Sequence, residues 1–262
     1  MTRRRDTLAA RWARLAPHVE VLRPAGQGPH PVALMFHGCG GRRPYLDRYM
    51  RAAVQAGTMA VLIDSFAPRG ISRNQAVATV CTGAQLQGWR RAGDVLASVW
   101  GARGLEGADP DRIALAGWSH GGWSIMDLMT MALVRPGEAG LADPDASLLR
   151  SVRALFLAYP YCGPGALTQL RAWRRAPDVF AIVGESDLVA HPVLCRRAFR
   201  QVERAGARLQ SWFPAGASHA FDEDGEDVGK WIGVFRYDPE LAREAERRMA
   251  AFLAQVFSPP PA

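Results

Sequence analysis

Short apolar runs alternate along the chain with longer segments in which apolar positions recur every three or four residues. Runs of the first kind are typical of buried strands, and segments of the second kind are typical of amphipathic helices. Most runs lack strict apolar–polar alternation, which favours a parallel sheet covered by helices on both faces. The predicted strands are 18–23, 31–37, 58–64, 112–117, 152–158, 178–183 and 208–213. The predicted helices are 44–56, 88–103, 121–134, 192–205 and 239–257.

The alternation of strands and helices predicts the α/β class, with a mostly parallel, doubly wound sheet. The last helix has clear start signals, because Asp238 supplies an N-cap and Pro239 a first-turn proline. No internal repeat or internal linker interrupts the pattern. We therefore expect one domain over residues 1–262, with an N-terminal segment at 1–16 and a Pro-rich tail at 258–262.

Composition supports a packed enzyme-sized fold, since 48% of the 262 residues are hydrophobic and 22% are charged. The net charge of +7 would suit a polyanion, but the basic residues are scattered rather than gathered on one stripe. Of the 32 basic residues only Lys230 is a lysine, which indicates a compositional bias toward arginine. Nucleic acid is therefore not an expected partner.

The chain begins with the basic stretch Met1-Thr-Arg-Arg-Arg, but Arg11 and Arg14 interrupt any apolar run that could make it a signal peptide. The longest uncharged stretches, 24–41 and 154–170, contain several Gly and Pro and predict no membrane span. On this basis we expect a cytoplasmic protein that does not enter the membrane.

Four cysteines, in a chain expected to be cytoplasmic, are predicted to be free thiols. They are Cys39, Cys81, Cys162 and Cys195. None belongs to a C-x-x-C pair, so no zinc site is predicted. Cys162 and Cys195 follow neighbouring predicted strands, and their pairing stays open at this point.

The segment Gly117-Trp-Ser119-His-Gly121-Gly follows one predicted strand and opens a helix. This strand–turn–helix context is what a nucleophile elbow requires, because the turn forces the serine into a strained backbone conformation. Small residues at 117 and 121 would avoid collisions there. Ser119 is thus the candidate nucleophile, and a simple glycine-rich turn is the alternative.

Two later segments supply the acid and the base in the expected chain order. Asp187 follows the strand at 178–183, and His219 follows the strand at 208–213. Both lie at carboxyl ends of strands, where a parallel sheet forms its ligand crevice. His219 would accept the serine proton, and Asp187 would orient the imidazole. Glu185 is a less favoured acid, and His191 is a rival base that fits a helix cap better.

A serine nucleophile also needs donors for the oxyanion. The segment His37-Gly-Cys39-Gly-Gly41 follows a strand, and its glycines allow close approach of a substrate. The backbone N–H groups of Cys39 and His120 are therefore the predicted oxyanion hole. A flexible strand-to-helix turn is the alternative interpretation of the glycines.

Taken together, these residues resemble the α/β-hydrolase fold and, more narrowly, the dienelactone hydrolase family. The resemblance rests on HGCGG at 37–41, DSFAPRG at 64–70, GWSHGG at 117–122, GESD at 184–187 and SHAF at 218–221. It implies a cofactor-independent and metal-independent hydrolase of small-molecule esters or lactones, with Ser119, Asp187 and His219 as the triad. The family proper carries cysteine at the nucleophile position, so Ser119 favours general carboxylesterase chemistry.

Three further residues are candidates for substrate binding: Arg69, Trp123 and Tyr161. Arg69 could hold a substrate carboxylate through paired hydrogen bonds or could form a structural ion pair. Trp123 and Tyr161, together with Trp118 and Phe221, could line an apolar pocket or belong to the core. Acyl transfer, thioester cleavage and ligand binding without turnover remain alternative functions, because a fold alone does not separate them.

Two other patterns are rejected. The acidic run 222–227 lacks the glycine and glutamate of a calcium loop and is interpreted as a solvated loop. The segment 225–231 has the wrong glycine spacing for a phosphate loop and a Trp where Ser or Thr is required.

Overall fold

The computed structural model describes residues 5–225 and 234–258. Its strands are β1 (Val19–Leu22), β2 (His30–Phe36), β3 (Met59–Ile63), β4 (Ala108–Trp118), β5 (Val152–Ala158), β6 (Asp178–Ile182) and β7 (Leu209–Trp212). Its α-helices are α1 (Leu8–Leu15), α2 (Leu46–Gln55), α3 (Arg73–Gln75), α4 (Gly88–Gly101), α5 (His120–Thr130), α6 (Pro192–Arg204) and α7 (Pro239–Phe257).

The strands of the described residues form one seven-stranded sheet in the order β1-β3-β2-β4-β5-β6-β7. β1 runs antiparallel to β3, and the other neighbouring pairs are parallel. All five residues of β3 are buried, as a central strand covered on both faces requires. The predicted α/β class with a mostly parallel sheet is confirmed.

The order of the strands reverses beside β2, because β3 lies on one side of it and β4 on the other. Phe36 at the end of β2 pairs with Gly117 near the end of β4. The loops that follow these two strands leave in different directions, which opens a crevice at the carboxyl edge of the sheet. The segments after β2 and β4 therefore meet at that crevice.

Two helices were not predicted. α1 lies inside the segment 1–16 and packs on α4, and the Thr7 side chain caps it by accepting a hydrogen bond from the Ala10 N–H at 3.1 Å. Its buried residues are Leu8, Arg11 and Leu15, which have helical spacing. Because the middle residue is charged, the sequence does not show an apolar helical face there. α3 is the start of a short helical segment that follows β3.

The prediction of four free thiols is wrong for one pair, because Cys39 and Cys81 form a disulfide with a Cα–Cα distance of 5.1 Å. Cys39 follows β2 and Cys81 lies in the segment after β3, so the adjacency of these strands brings the two loops together. A search for short cysteine spacings cannot reveal such a pair. Cys162 and Cys195 are free and buried.

The interpretation of the acidic run as a solvated loop is wrong at its start. The Asp222 carboxylate is fully buried and accepts hydrogen bonds from the Tyr49 and Tyr159 hydroxyls at 2.5 and 2.6 Å. Residues 226–233 lie outside the described part of the chain, and with them most of the segment rejected as a phosphate loop. Within the described ranges, no group of three His, Cys, Asp or Glu residues is placed to hold a metal ion. No helix of residues 5–225 or 234–258 is long and apolar enough to cross a membrane.

Candidate active site

Ser119 occupies a sharp turn between β4 and α5. Its φ of 49° and ψ of −110° are strained for a residue with a side chain. A Cβ on Gly117 would lie 2.5 Å from the Gly122 nitrogen, and one on Gly121 would lie 2.0 Å from the Phe36 carbonyl oxygen. Both positions therefore require glycine, as the sequence predicted, and the turn presents the Ser119 hydroxyl at the crevice.

Ser119, His219 and Asp187 form a continuous hydrogen-bonded chain. The Ser119 Oγ lies 2.9 Å from His219 Nε2, and His219 Nδ1 lies 2.8 Å from Asp187 Oδ2. A carboxylate accepts only, so Nδ1 carries the imidazole proton and Nε2 is free to accept the serine proton. The arrangement suits a general base that activates an alcohol.

The sheet brings these three side chains together from separate strand ends. Asp187 follows β6, and its Oδ1 accepts from the backbone N–H groups of Val189 and Ala190 at 2.8 and 2.7 Å. These bonds leave Oδ2 directed at His219. The exposed fractions are 8% for Ser119, 4% for His219 and 1% for Asp187, so the carboxylate is the most protected of the three from water.

The rival acid and the rival base have other partners. The exposed Glu185 carboxylate forms an ion pair with Arg196. The Nδ1 atom of His191 accepts from the Val193 N–H at 3.3 Å and caps the start of α6. Neither side chain is a hydrogen-bond partner of Ser119 or His219 in the described structure.

The loop after β2 lies against the nucleophile. A Cβ on Gly38 would lie 3.5 Å from the Ser119 Cβ, so the chain passes the serine at van der Waals distance. Within the described ranges, neither the Cys39 N–H nor the His120 N–H donates to a backbone carbonyl. Two backbone donors next to the serine are thus available for a developing oxyanion.

The aromatic candidates separate into two groups. The Trp123 and Tyr161 rings lie 5.0 Å apart beside the elbow, and the Tyr161 N–H donates to the Ser119 carbonyl at 3.2 Å. Trp123 is buried, with 5% of its surface exposed, whereas Tyr161 is half-buried. Trp118 and Phe221 are fully buried core residues. Trp123 and Tyr161 thus lie next to Ser119, and their role in substrate binding stays a prediction.

Arg69 forms the structural ion pair that the sequence left open as an alternative. Its Nη1 and Nη2 atoms donate to the two carboxylate oxygens of Asp94, each at 2.8 Å. Asp94 is fully buried and also accepts from Arg11 at 2.8 Å. With its guanidinium committed in this way, Arg69 is poorly placed to bind a substrate carboxylate.

Sequence reasoning missed a second buried cation, Arg91, beneath the site. Arg91 and Asp94 lie one turn apart on α4, which is otherwise largely apolar on its buried face. The available signal was the presence of charged residues on the apolar face of α4, because a charge is buried only where it has specific partners. Neither residue belongs to a motif.

A hydrogen-bonded carboxylate also supports the base. The Tyr159 ring meets the His219 ring edge-on at 4.9 Å, and its hydroxyl donates to Asp222. Burial raises the pKa of Asp222 to about 6, while the Tyr159 and Tyr49 hydroxyls act in the opposite direction. The Tyr159 ring, which Asp222 holds through the hydroxyl, packs against the His219 imidazole and restricts the plane of that ring.

The fold resembles solved hydrolase structures over nearly the whole chain. A dienelactone hydrolase-like promiscuous phosphotriesterase from metagenomic libraries shares 14% identity at a TM-score of 0.65, with 92% of each chain covered. A thermophilic esterase from Thermogutta terrifontis, with propionate bound, shares 19% identity at a TM-score of 0.60, with 93% of this chain and 91% of that chain covered. A second structure of that esterase, phosphoramylated by tabun, shares 18% identity at a TM-score of 0.63, with 93% of this chain and 91% of that chain covered.

No family model matches the chain, and no curated protein matches its sequence. The structural likeness shows the fold, which is that of the α/β-hydrolases and of the dienelactone hydrolase-like structures among them. The fold expected from the sequence motifs is thereby confirmed.

Proposed function

We propose that this chain is a serine hydrolase of the dienelactone hydrolase-like type, which cleaves carboxylic esters or lactones through an acyl-enzyme. The observation that carries the proposal is the hydrogen-bonded chain from the Ser119 hydroxyl through His219 to the buried Asp187. The strained serine backbone and the adjacent free N–H groups support it. An esterase with this fold agrees with ester hydrolysis, and a dienelactone hydrolase-like phosphotriesterase with this fold agrees with a hydrolase more generally.

In the first half-reaction the Ser119 oxygen attacks the ester carbonyl carbon while its proton moves to His219 Nε2. The carbonyl oxygen becomes an oxyanion and accepts hydrogen bonds from the Cys39 and His120 N–H groups. Asp187 stabilises the imidazolium. The C–O bond to the leaving group then breaks, and that oxygen takes the proton from Nε2.

In the second half-reaction a water molecule gives a proton to His219 Nε2 and attacks the acyl carbon. The bond to the Ser119 oxygen breaks, the serine recovers its proton, and the carboxylic acid is released. The groups used are side chains and backbone amides of this chain, so the proposal requires neither a metal nor an organic cofactor.

A serine nucleophile depends on its base for deprotonation, whereas a cysteine is partly ionised near neutral pH. The hydroxyl–imidazole contact in this structure therefore favours general carboxylesters over the substrates of cysteine-bearing relatives. The Trp123 and Tyr161 rings, which lie 5.0 Å apart beside the turn at Ser119, are our candidates for contact with an acyl or alcohol group, with Tyr161 the more exposed of the two.

The test is a panel of esters and lactones graded by acyl and alcohol size, together with labelling by a fluorophosphonate. We expect Ser119→Ala to lower kcat by about four to six orders of magnitude and to abolish labelling. Ser124→Ala is the matched control, because Ser124 lies on the same helix with its hydroxyl bonded to the His120 carbonyl. Ester hydrolysis that survives in the Ser119→Ala protein would overturn the proposal.

The same experiment separates the alternatives. Labelling with no turnover of any ester would indicate acyl transfer or thioester cleavage, which acyl acceptors and thioesters added to the panel would reveal. A wild-type serine that does not react with the probe would indicate a ligand-binding protein, since only an activated serine is labelled.

A further inference from the structure

The two segments that flank the Ser119 hydroxyl share one buried cation. The Arg91 Nη1–H group donates to the His37 carbonyl at 2.8 Å and lies 3.2 Å from His120 Nδ1. The Arg91 Nε–H group donates to the Ser65 hydroxyl at 3.1 Å. Arg91 thus contacts the residue directly before Gly38 on one segment and the residue directly after Ser119 on the other.

His37 extends this contact to the peptide that carries one of the oxyanion donors. The Ser65 N–H donates to His37 Nε2 at 3.2 Å, so the ring proton lies on Nδ1. That Nδ1–H donates to the Gly38 carbonyl at 2.7 Å. In a planar trans peptide the carbonyl and the following N–H point in opposite directions. Holding the Gly38 carbonyl therefore fixes the direction of the Cys39 N–H.

The neutral form of both imidazoles is required for these contacts. Burial and then the Arg91 cation lower the pKa of His37, and the same two causes lower the pKa of His120. A neutral His120 can accept at Nδ1 from Arg91. A neutral His37 can both accept from Ser65 and donate to Gly38.

Arg91 is an unusual cation because it has no carboxylate of its own. It is fully buried and, unlike Arg11 and Arg69, forms no ion pair within residues 5–225 and 234–258. A buried charge without a direct counter-ion opposes folding, so stability alone does not account for it. Its Nη1 group instead donates to the His37 carbonyl on the loop after β2 and lies 3.2 Å from His120 Nδ1 at the start of α5, and its Nε group donates to the Ser65 hydroxyl after β3. Nη2 has no hydrogen-bond partner among the described residues.

We propose that Arg91 is a positioning residue of the oxyanion hole, which holds the His37–Cys39 loop and His120 in register so that their two N–H groups converge beside Ser119. The inference rests on the proposed serine hydrolase function and adds the residue that positions the oxyanion hole of that site. Arg91 acts through the backbone and does not touch the substrate.

The test compares Arg91→Met, Arg91→Lys and Arg11→Met. Arg11→Met is the matched control, because it removes another buried arginine of the same cluster, which contacts Asp94 but neither His37 nor His120. Each variant is measured for its melting temperature, for kcat and KM with a small aryl ester, and for inhibition by a trifluoromethyl ketone. That inhibitor adds to the serine and places a negative oxygen in the hole.

We expect Arg91→Met to lower kcat and the affinity for the ketone by about 100-fold, with KM changed by less than about threefold, because only the oxyanion loses stabilisation. Arg91→Lys should recover about tenfold of this loss, since a lysine keeps the charge but reaches fewer acceptors. Arg11→Met should keep kcat within about twofold of the wild type.

The inference would be overturned if Arg11→Met and Arg91→Met lost kcat equally. It would also be overturned if Arg91→Lys bound the ketone as tightly as the wild type. Arg91→Lys carries the test if Arg91→Met does not fold. A wild-type protein without ester turnover or serine labelling would refute the proposed function, and a crystal structure of Arg91→Lys would then decide the present inference separately. An unmoved Gly38–Cys39 peptide in that structure would refute it.

Discussion

Breaking the Cys39–Cys81 disulfide should weaken both the fold and the site. The bond closes a loop with a sequence separation of 42 residues. In the chain-entropy treatment, a loop of that length lowers the entropy of the unfolded chain enough to stabilise the folded state by about 4 kcal/mol at 25 °C. Treatment with a thiol or phosphine reductant should lower the free energy of unfolding by an amount of this order.

The effect on activity follows from what the bond holds. Five buried residues after β3 form a small hydrophobic cluster separate from the main core, and Cys39 packs against it: Phe66, Ile71, Ala76, Val80 and Leu86. Without the covalent link, these contacts and the hydrogen bonds from Arg91 to the His37 carbonyl and from His37 to the Gly38 carbonyl still restrain the loop that carries the Cys39 N–H. We expect kcat to fall by about tenfold, less than the roughly 100-fold or greater loss of one complete oxyanion donor.

Urea unfolding and ester hydrolysis are measured before and after reduction, with the thiols counted by mass spectrometry. The double variant Cys39→Ala/Cys81→Ala should match the reduced wild type and should no longer respond to the reductant. Cys162→Ala/Cys195→Ala is the control, because these thiols are free and the response to reductant should persist. An unfolding midpoint that does not change when the bond is broken would refute the reasoning.

Three further predictions concern buried groups around the site. Burial raises the pKa of Asp127 to about 7, so its ionisation should destabilise the fold as the pH rises from about 4 to 7. The unfolding temperature of Asp127→Asn should exceed that of the wild type by more at pH 8 than at pH 5, where only part of the penalty is present, and an equal difference at both would contradict this. Gly121→Ala places a Cβ 2.0 Å from a backbone oxygen and should cost about 1–3 kcal/mol of stability in urea melts, while Gly104→Ala, with open space around it, should cost little. Tyr159→Phe removes a hydrogen-bond donor to Asp222 and should lower the free energy of unfolding by about 1–3 kcal/mol at pH 8. This loss of stability should become smaller below about pH 6, where the Asp222 carboxyl becomes protonated. A loss that is the same at both pH values would contradict this account.

Local patterns were sufficient where a single turn determines the structure. Ser119 with its flanking glycines specifies the elbow through backbone sterics alone, and that signal lies in six consecutive residues. Asp187 and His219 could be placed at strand ends because parallel strands share one carboxyl edge. The sequence therefore predicted the fold and the three side chains that the structure brings together.

Contacts between loops that are distant along the chain could not be predicted from the sequence. The Cys39–Cys81 bond depends on the adjacency of β2 and β3, which no spacing rule encodes. The partner of Arg69 depends on which side of α4 faces the sheet. Arg91 lies on the otherwise apolar face of α4, which was a usable signal, but its contacts with residues after β2, β3 and β4 depend on packing between elements that the sequence does not show.

The position of His219, the proposed base, makes it more sensitive to local opening of the sheet than Ser119, the proposed nucleophile. His219 follows β7, a four-residue strand whose residues are exposed or only half-buried and which, among the described residues, pairs with β6 as its one neighbour in the sheet. Ser119 instead follows the long central β4, which has paired neighbours on both sides. Peripheral strands open at lower free-energy cost than central ones. As the denaturant concentration rises, activity should therefore be lost while the centre of the sheet is still folded. The half-life of the activity would then measure local opening of β7 rather than global unfolding.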